Sequence, residues 1–363
     1  MPTVAEGARR LGLSRMQAVM VTALLTLLVA GFYLDPDLTG LVLVLVGQSL
    51  FIICAVWRII LTLASARPEQ PPHEPLSWPR YTVLAALHDE ADIVQQLARR
   101  LAAIDYPEDR LQGFLVLEAH DQATIAAAEA AKRPAWLEIL IVPPGDPRTK
   151  PRALNHALQF ATGDVVTIYD AEDEPHPLQL REAAARFVAE PGLGCVQAPL
   201  RIRRHPRRER APMFDRQFAL EYASLFEVTL PGMARLGLPF PLGGTSNHIR
   251  TDVLRSLGGW DAYNVTEDAD LGFRLWREGW RLGVTRRPTY ETPPGDLEVW
   301  LPQRTRWLKG YMQTLGVHTR SLDGLGFKGV LALAMTLGAA LISAAAHAMA
   351  LGWLAAAVLM AAI

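Results

Sequence analysis

The chain has 363 residues, more than one small domain needs and enough for a large core with accessory segments. Its 36 basic and 37 acidic residues leave a net charge of -1, so nothing in the overall charge draws it to nucleic acid. Cys54 falls in an apolar run and Cys195 in a predicted strand, which excludes a disulfide framework and a cysteine metal site.

The apolar half of the composition gathers at the two ends. Residues 16–34 and 41–63 form two runs near the N-terminus, the second with Arg58 as its one charge. Residues 330–363 carry no charge at all. Each run is long enough to cross a hydrocarbon core. The first lacks a small-residue cleavage site and a second follows at once, which favours a span over a signal peptide. Arg9, Arg10 and Arg15 precede the first span, and Arg58 and Arg67 lie at the end of the second. The link between them holds Asp35 and Asp37. Positive flanks then place the N-terminus and everything after residue 65 in the cytoplasm.

The expected organisation is residues 1–65 as two spans and a proline-rich linker over 66–79. A central domain over 80–296, an interfacial helix region over 297–325 and C-terminal spanning residues 326–363 follow. Within the middle, strands are predicted over 81–87, 114–117, 137–142 and 165–169. Helices are predicted over 90–104, from Gln122, over 151–160 and from Pro177. This alternation is the rhythm of a mostly parallel sheet with helices on both faces. In such sheets ligands bind beyond the carboxyl ends of the strands.

The residues at those ends are His88-Asp89-Glu90, Glu118-Ala-His-Asp121 and Asp170-Ala-Glu-Asp173. Acids gathered on one edge repel unless a cation or ligand sits among them. No Gly-x-Gly-x-x-Gly follows any of these strands, and no Walker phosphate loop is present. Asp170 and Glu172 therefore read either as oxygen ligands for Mg2+ or Mn2+ or as a solvated turn before Pro175. Lys150 and Arg152 open a helix, where an anion or plain solvent could face them. Residues 201–210 are dense in arginine and read as a solvated or headgroup-facing loop. Arg203 and Arg207 have the spacing of some cyclic-dinucleotide receptors, but the partner motif is missing.

A helix over 213–229 carries Phe214, Phe218, Tyr222 and Phe226, a stripe that reads as core before sugar platform. Gly243 and Gly244 allow close backbone approach, and Thr245, Ser246, Asn247 and His248 could read hydroxyls. Next, Gly258-Gly-Trp-Asp-Ala-Tyr-Asn-Val-Thr-Glu-Asp-Ala-Asp270 delivers Glu267, Asp268 and Asp270 to the start of a helix. Last, Gln303-Arg-Thr-Arg-Trp307 sits on a helix from about Leu297, with Gln303, Arg306 and Trp307 on one face.

Thr266-Glu267-Asp268 and Gln303-Arg304-Thr305-Arg306-Trp307, in that order and ahead of a span, resemble a membrane-embedded family 2 glycosyltransferase of the cellulose synthase-like, processive kind. The resemblance covers roughly residues 80–320 and the flanking spans. It implies a GT-A fold, a UDP-sugar donor and inversion at the anomeric carbon. It further implies a growing β-glycan as acceptor and export across the inner membrane, with further membrane or export subunits as possible partners. Glucose is the sugar it favours, ahead of N-acetylglucosamine. Carried onto this chain, Glu90 and Glu118 match nucleoside-binding acids, Lys150 a diphosphate contact, and Asp170 with Glu172 the donor and metal pair. Asp268, beside Glu267, matches the catalytic base. Gln303 and Arg306 match donor contacts, and Trp307 an acceptor contact, with Gly244, Thr245 and Ser246 beside it. Glu118 and Glu172 depart from the Asp of cellulose synthases, so Asp173 is an alternative ligand to Glu172. Two rival readings are a single-addition transferase with a lipid-linked acceptor and a non-catalytic assembly subunit.

The run from Val330 exceeds one crossing and is expected to break near His347 or Gly352. Three or four helices are few for a polymer channel, so the chain is expected to be a piece of a longer protein with further spans.

Overall fold

A computed structural model describes residues 4–10, 12–66, 75, 77–203 and 213–361. Most of the arginine-dense stretch, with Arg207, and most of the linker, with Arg67, lie outside the described residues.

Two long apolar helices come first, α1 (Arg15–Leu34) and α2 (Pro36–Ser65). Asp35 ends one and caps the other, its side chain accepting from Leu38 N at 2.9 Å. A third apolar stretch runs over Gly326–His347, so among the described residues three helices are long and apolar enough to cross a membrane.

Between them the chain alternates strand and helix through β1 (Tyr81–Leu87), α3 (Val94–Ala102), β2 (Leu111–Glu118), α4 (Gln122–Ala130), β3 (Leu137–Val142), α5 (Lys150–Leu158) and β4 (Val165–Tyr169). These four strands pair in parallel, in the order β3-β2-β1-β4. β1, β2 and β4 are near-continuous apolar runs because helices cover both faces. Tyr81, Val83, Ala85 and Leu87 pack on one side with α3 and α4, while Leu84 joins α5 on the other. α3 starts at Val94, later than the expected 90. Asp89 N is tied to Asp121 Oδ2 at 2.7 Å and Glu90 N to Thr124 Oγ1 at 3.1 Å, which holds the chain across to the start of α4 before the helix can open.

After β4 come β5 (Glu174–Pro175), α6 (Gln179–Ala189), β6 (Leu193–Gln197) and β7 (Leu200–Ile202). The expected helix from Met213 is α7 (Met213–Ala223), which continues through a π-type turn over Ser224–Thr229 into α8 (Leu230–Arg235). Then follow β8 (Asn247–Arg250), α9 (Thr251–Ser256), α10 (Glu267–Arg277), β9 (Arg281–Val284), β10 (Thr289–Glu291) and α11 (Leu297–His318). β8 lies antiparallel between β4 and β6, and β9 completes a seven-stranded sheet. β5, β10 and β7 form a second, three-stranded sheet. α8 and the turn before it pack against α2. Gly232 lets Leu61 approach there, since a Cβ at 232 would lie 2.6 Å from the Leu61 carbonyl oxygen.

The expected break in the C-terminal run is not found. α12 (Gly326–Leu333) passes through a π-type turn over Ala334–Gly338 into α13 (Ala339–Ala361), which runs unbroken through His347 and Gly352. The His347 ring turns back to Ser343 O at 2.7 Å, and in apolar surroundings a broken helix would strand its backbone groups.

Candidate active site

The carboxyl ends of β1, β2 and β4 open into one cavity of about 1080 Å³. Glu90, Glu118, Lys150, Asp170 and Glu172 line one side. Glu267 and Asp268, from the first turn of α10, and Gln303, Arg306, Trp307 and Tyr311, from α11, line the other. Leu225, Phe226 and Leu242 add an apolar wall.

Lys150, the first residue of α5, donates to Asp170 Oδ1 and to Gly244 O, the latter at 3.0 Å. Gly244 also backs onto the acids of α10, because a Cβ there would lie 3.2 Å from Asp268 Oδ2. Arg152, offered as an anion site, is instead spent on Glu118, with Nη2 at 2.8 and 3.1 Å from its two oxygens. Asn155 of the same helix holds the loop before α10, accepting from Trp260 N at 2.8 Å and donating to Trp260 O at 2.7 Å. Gly259 sits at φ +79 against that amide, where a side chain would collide. Arg274 reaches the same loop from inside α10, donating to the carbonyls of Leu257 and Gly259 at 2.5 and 2.8 Å.

The electrostatics of the cavity are those of crowded acids. Burial pushes Glu267 up to about 8, helped by the Asp268 charge. Burial also raises Asp268, to about 6, against the Ala269 N–H (2.7 Å) and the Lys150 ammonium. The two titrate as a pair. Glu90 is raised to about 7 by burial and by the charges of Glu172 and Asp170, and its Oε2 has no partner among the described residues. Glu172 is raised for the same two reasons, burial and Asp170. Among the described residues no group of three or more His, Cys, Asp or Glu side chains could cage a metal. Asp170 and Glu172 nonetheless offer the oxygen donors that suit a hard cation, and such a cation would relieve the repulsion.

The alternative ligand is placed elsewhere. Asp173 is fully buried, taking the Asp170 N–H at 2.7 Å and the Thr245 hydroxyl, so it faces away from the cavity. That corrects the hydroxyl-reading expectation for the turn after Gly244. Thr245 reaches the cavity wall, but its hydroxyl is spent on Asp173. Ser246 lies off the wall, its hydroxyl donating to Thr289 Oγ1 at 2.6 Å. His248 is buried against the Tyr81 hydroxyl at 3.0 Å, and burial pushes it down to about 3.

Gln303, Arg306 and Trp307 do share the cavity face of α11. Arg304, between them, stacks on the rings of Trp307 (4.4 Å), Phe218 (5.1 Å) and Trp300 (5.4 Å) and pairs with Glu221. The aromatic stripe of α7 is thereby core and wall together. Phe218 is buried under Trp307, while Tyr222 and Phe226 reach the cavity.

Residues with no expected role also line it: Glu291, Tyr263, Tyr311 and the pair His88 and His120, whose Nε2 atoms are 3.3 Å apart. Glu291, at the end of β10, is pushed up to about 8 by burial and by Asp170 and Glu172, and it is hydrogen-bonded to Tyr222. β10 is three residues long, so no periodicity marks it.

A mostly parallel sheet with acids at its strand ends and a mixed outer half is the GT-A architecture. Among solved structures, mannosyltransferase PcManGT from Pyrobaculum calidifontis, in complex with GDP-Man and Mn2+, superposes with a TM-score of 0.59 at 21% identity, over 87% of this chain and 90% of that one. That likeness concerns the fold. The family model "Glycosyltransferase like family 2" matches residues 79–310, and the chain belongs to that family. Relatives include the probable glycosyltransferase YdaM of Bacillus subtilis, 25% identical over 64% of this chain and 55% of its own length. The beta-monoglucosyldiacylglycerol synthase of Synechocystis is 26% identical over 70% and 53%. The cellulose synthase 1 catalytic subunit of Komagataeibacter xylinus is 26% identical over 71% and 34%. The chain thus spans about half the length of the first two and a third of the last.

Proposed function

We propose that the chain is an inverting hexosyltransferase that moves a sugar from a UDP-sugar to an acceptor hydroxyl at the cytoplasmic face of the inner membrane. The observation that carries this is the convergence of Asp268, the Lys150–Asp170 pair and Trp307 on one cavity. Glu90 and Glu118 hold the nucleoside at the ends of β1 and β2. Lys150 and Arg306 face the diphosphate and stabilise charge as it builds on the leaving group. Asp170 and Glu172 would hold a Mg2+ or Mn2+ ion, which would supply further neutralisation of that charge. The acceptor oxygen attacks the anomeric carbon, the bond to the diphosphate breaks and UDP departs. Asp268 takes the hydroxyl proton. Gln303 and Trp307 orient the reacting sugar, the ring of Trp307 by stacking.

The acceptor of first choice is a growing β-glycan, with glucose as the unit added. The arginine flanks of the apolar helices support a multi-pass chain with its catalytic domain inside. Addition of one sugar to a lipid-linked acceptor is the second reading. It is favoured by the apolar wall of Leu225, Phe226 and Leu242 and by the larger share of the glucosyldiacylglycerol synthase that the chain spans. UDP release from UDP-glucose and UDP-N-acetylglucosamine, with and without Mn2+, tests the transferase. Sizing the radiolabelled product separates polymer from single addition. A chain that binds nucleotide sugars and releases no UDP with any acceptor would instead be an assembly subunit.

A further inference from the structure

The segment ahead of the first apolar helix has no part in the chemistry above, yet it is built into the frame of the cavity. Residues 4–9 form a short 3-10 helix. Its Ala8 N–H donates to Asp261 Oδ2 at 2.8 Å, in a buried site. The other oxygen of Asp261 accepts from Tyr263 N at 2.9 Å. One buried carboxylate therefore joins the N-terminal segment to the loop that leads into Glu267 and Asp268. The Arg9 guanidinium lies over the Tyr263 ring at 5.3 Å, and Tyr263 lines the cavity.

The other side of the segment is fastened to the end of α11. Arg320 donates to Gly7 O at 2.7 Å and to Arg10 O at 2.6 Å. Gly7 is pressed on Val317, whose Cγ1 would lie 2.7 Å from a Cβ at position 7. Gln17, in the first turn of α1, donates to Gly316 O and Thr319 Oγ1, both at 2.8 Å. The loop 261–265 in turn touches the phosphate end of the cavity, where Thr149, the residue before Lys150, donates to Ala262 O at 3.0 Å.

We propose that residues 4–10 are a strap that sets the position of loop 261–265 against Lys150, with Ala8 and Arg9 as positioning residues for donor use. The chain's first apolar helix is thereby coupled to the donor end of its active site. Mere anchoring of the N-terminus would need only the Arg320 and Gln17 contacts. The Ala8–Asp261 and Arg9–Tyr263 contacts go to the cavity wall itself. Without the strap, a buried Asp261 oxygen loses its donor, and the loop must shift to satisfy it.

The strap rests on the UDP-sugar reading, and the test keeps the two apart. The full chain in lipid nanodiscs is compared with Arg9→Ala, Arg9→Lys and a deletion of residues 2–12, reading donor KM, kcat, UDP affinity and the thermal midpoint. Arg9→Ala is expected to raise donor KM about two- to fivefold, the worth of a partly exposed cation over a ring, at an unchanged midpoint. Arg9→Lys restores most of the loss, and the deletion raises KM further. Wild-type donor KM in both Arg9→Ala and the deletion would overturn the proposal, as would a lower midpoint with donor KM unmoved. If the deletion does not fold, the exposed Arg9 pair decides alone. A wild-type chain that turns over no nucleotide sugar would sink the UDP-sugar reading itself. An active wild type with indifferent variants would sink only the strap.

Discussion

The proposed reaction needs Asp268 as a base, and burial brings it toward neutrality. Burial raises it to about 6 within its pair with Glu267, so the ionised base is lost as pH falls through that range. The sign follows directly: kcat/KM should rise with pH up to about 6 and then level, and a pH-rate profile at saturating Mn2+ checks it. Asp268→Asn keeps the shape and removes the base. It should cost about 10²-fold or more in turnover while UDP affinity stays near wild type, and near-normal turnover would move the base elsewhere. Asp170 has a different task. Asp170→Ala should abolish the Mn2+-dependent part of UDP binding, measured by calorimetry with and without the ion. Equal affinity in both states would mean that the carboxylate only serves Lys150.

Elements with a strong local pattern were legible in the sequence. β1, β3 and β4 begin and end where their apolar runs do, and the Thr-Glu-Asp and Gln-x-x-Arg-Trp stretches fall on helices that face one cavity. What depends on distant pairing was not legible. β8 reads as a turn until β4 and β6 claim it, and that pairing is what draws Ser246, Asn247 and His248 inward. Glu291 reaches the site through a three-residue strand paired with β5 and β7. The Arg152 guanidinium looked free until β2 brought Glu118 beside it. α11 carries its own prediction. Trp307→Ala should damage transfer to acceptor more than hydrolysis of donor, because a stacking ring acts on the sugar that receives the bond. Radiolabelled product against free sugar measures the ratio, and equal losses would make Trp307 a core residue beneath Arg304.

At the scale of the molecule, the sheet and the second apolar helix share one core. Leu61 of α2 is 2% exposed and clusters with Phe226, Leu230 and Met233. The contact has no slack, since any side chain at 232 meets the Leu61 backbone. Gly232→Ala should therefore destabilise the whole chain, by about 1–3 kcal/mol if the helices part only slightly. Thermal unfolding followed by tryptophan fluorescence reads this, and an unchanged midpoint would show α2 free to slide.

The tight seat of α2 has a consequence for the lipid around it. A helix of 30 residues is about 45 Å long, against about 30 Å of hydrocarbon in an ordinary bilayer. Placed across a bilayer, such a helix would lean, and would lean less as the bilayer thickens. Since its C-terminal end is packed against α8, a change of lean in a bilayer would swing the catalytic unit toward or away from the headgroups. Acyl-chain length would thus become an input to the enzyme. Turnover in vesicles of graded phosphatidylcholines should pass through an optimum, and a Gly-rich insertion after Ser65 should leave that optimum in place, because the lever lies in the packing and not in the linker.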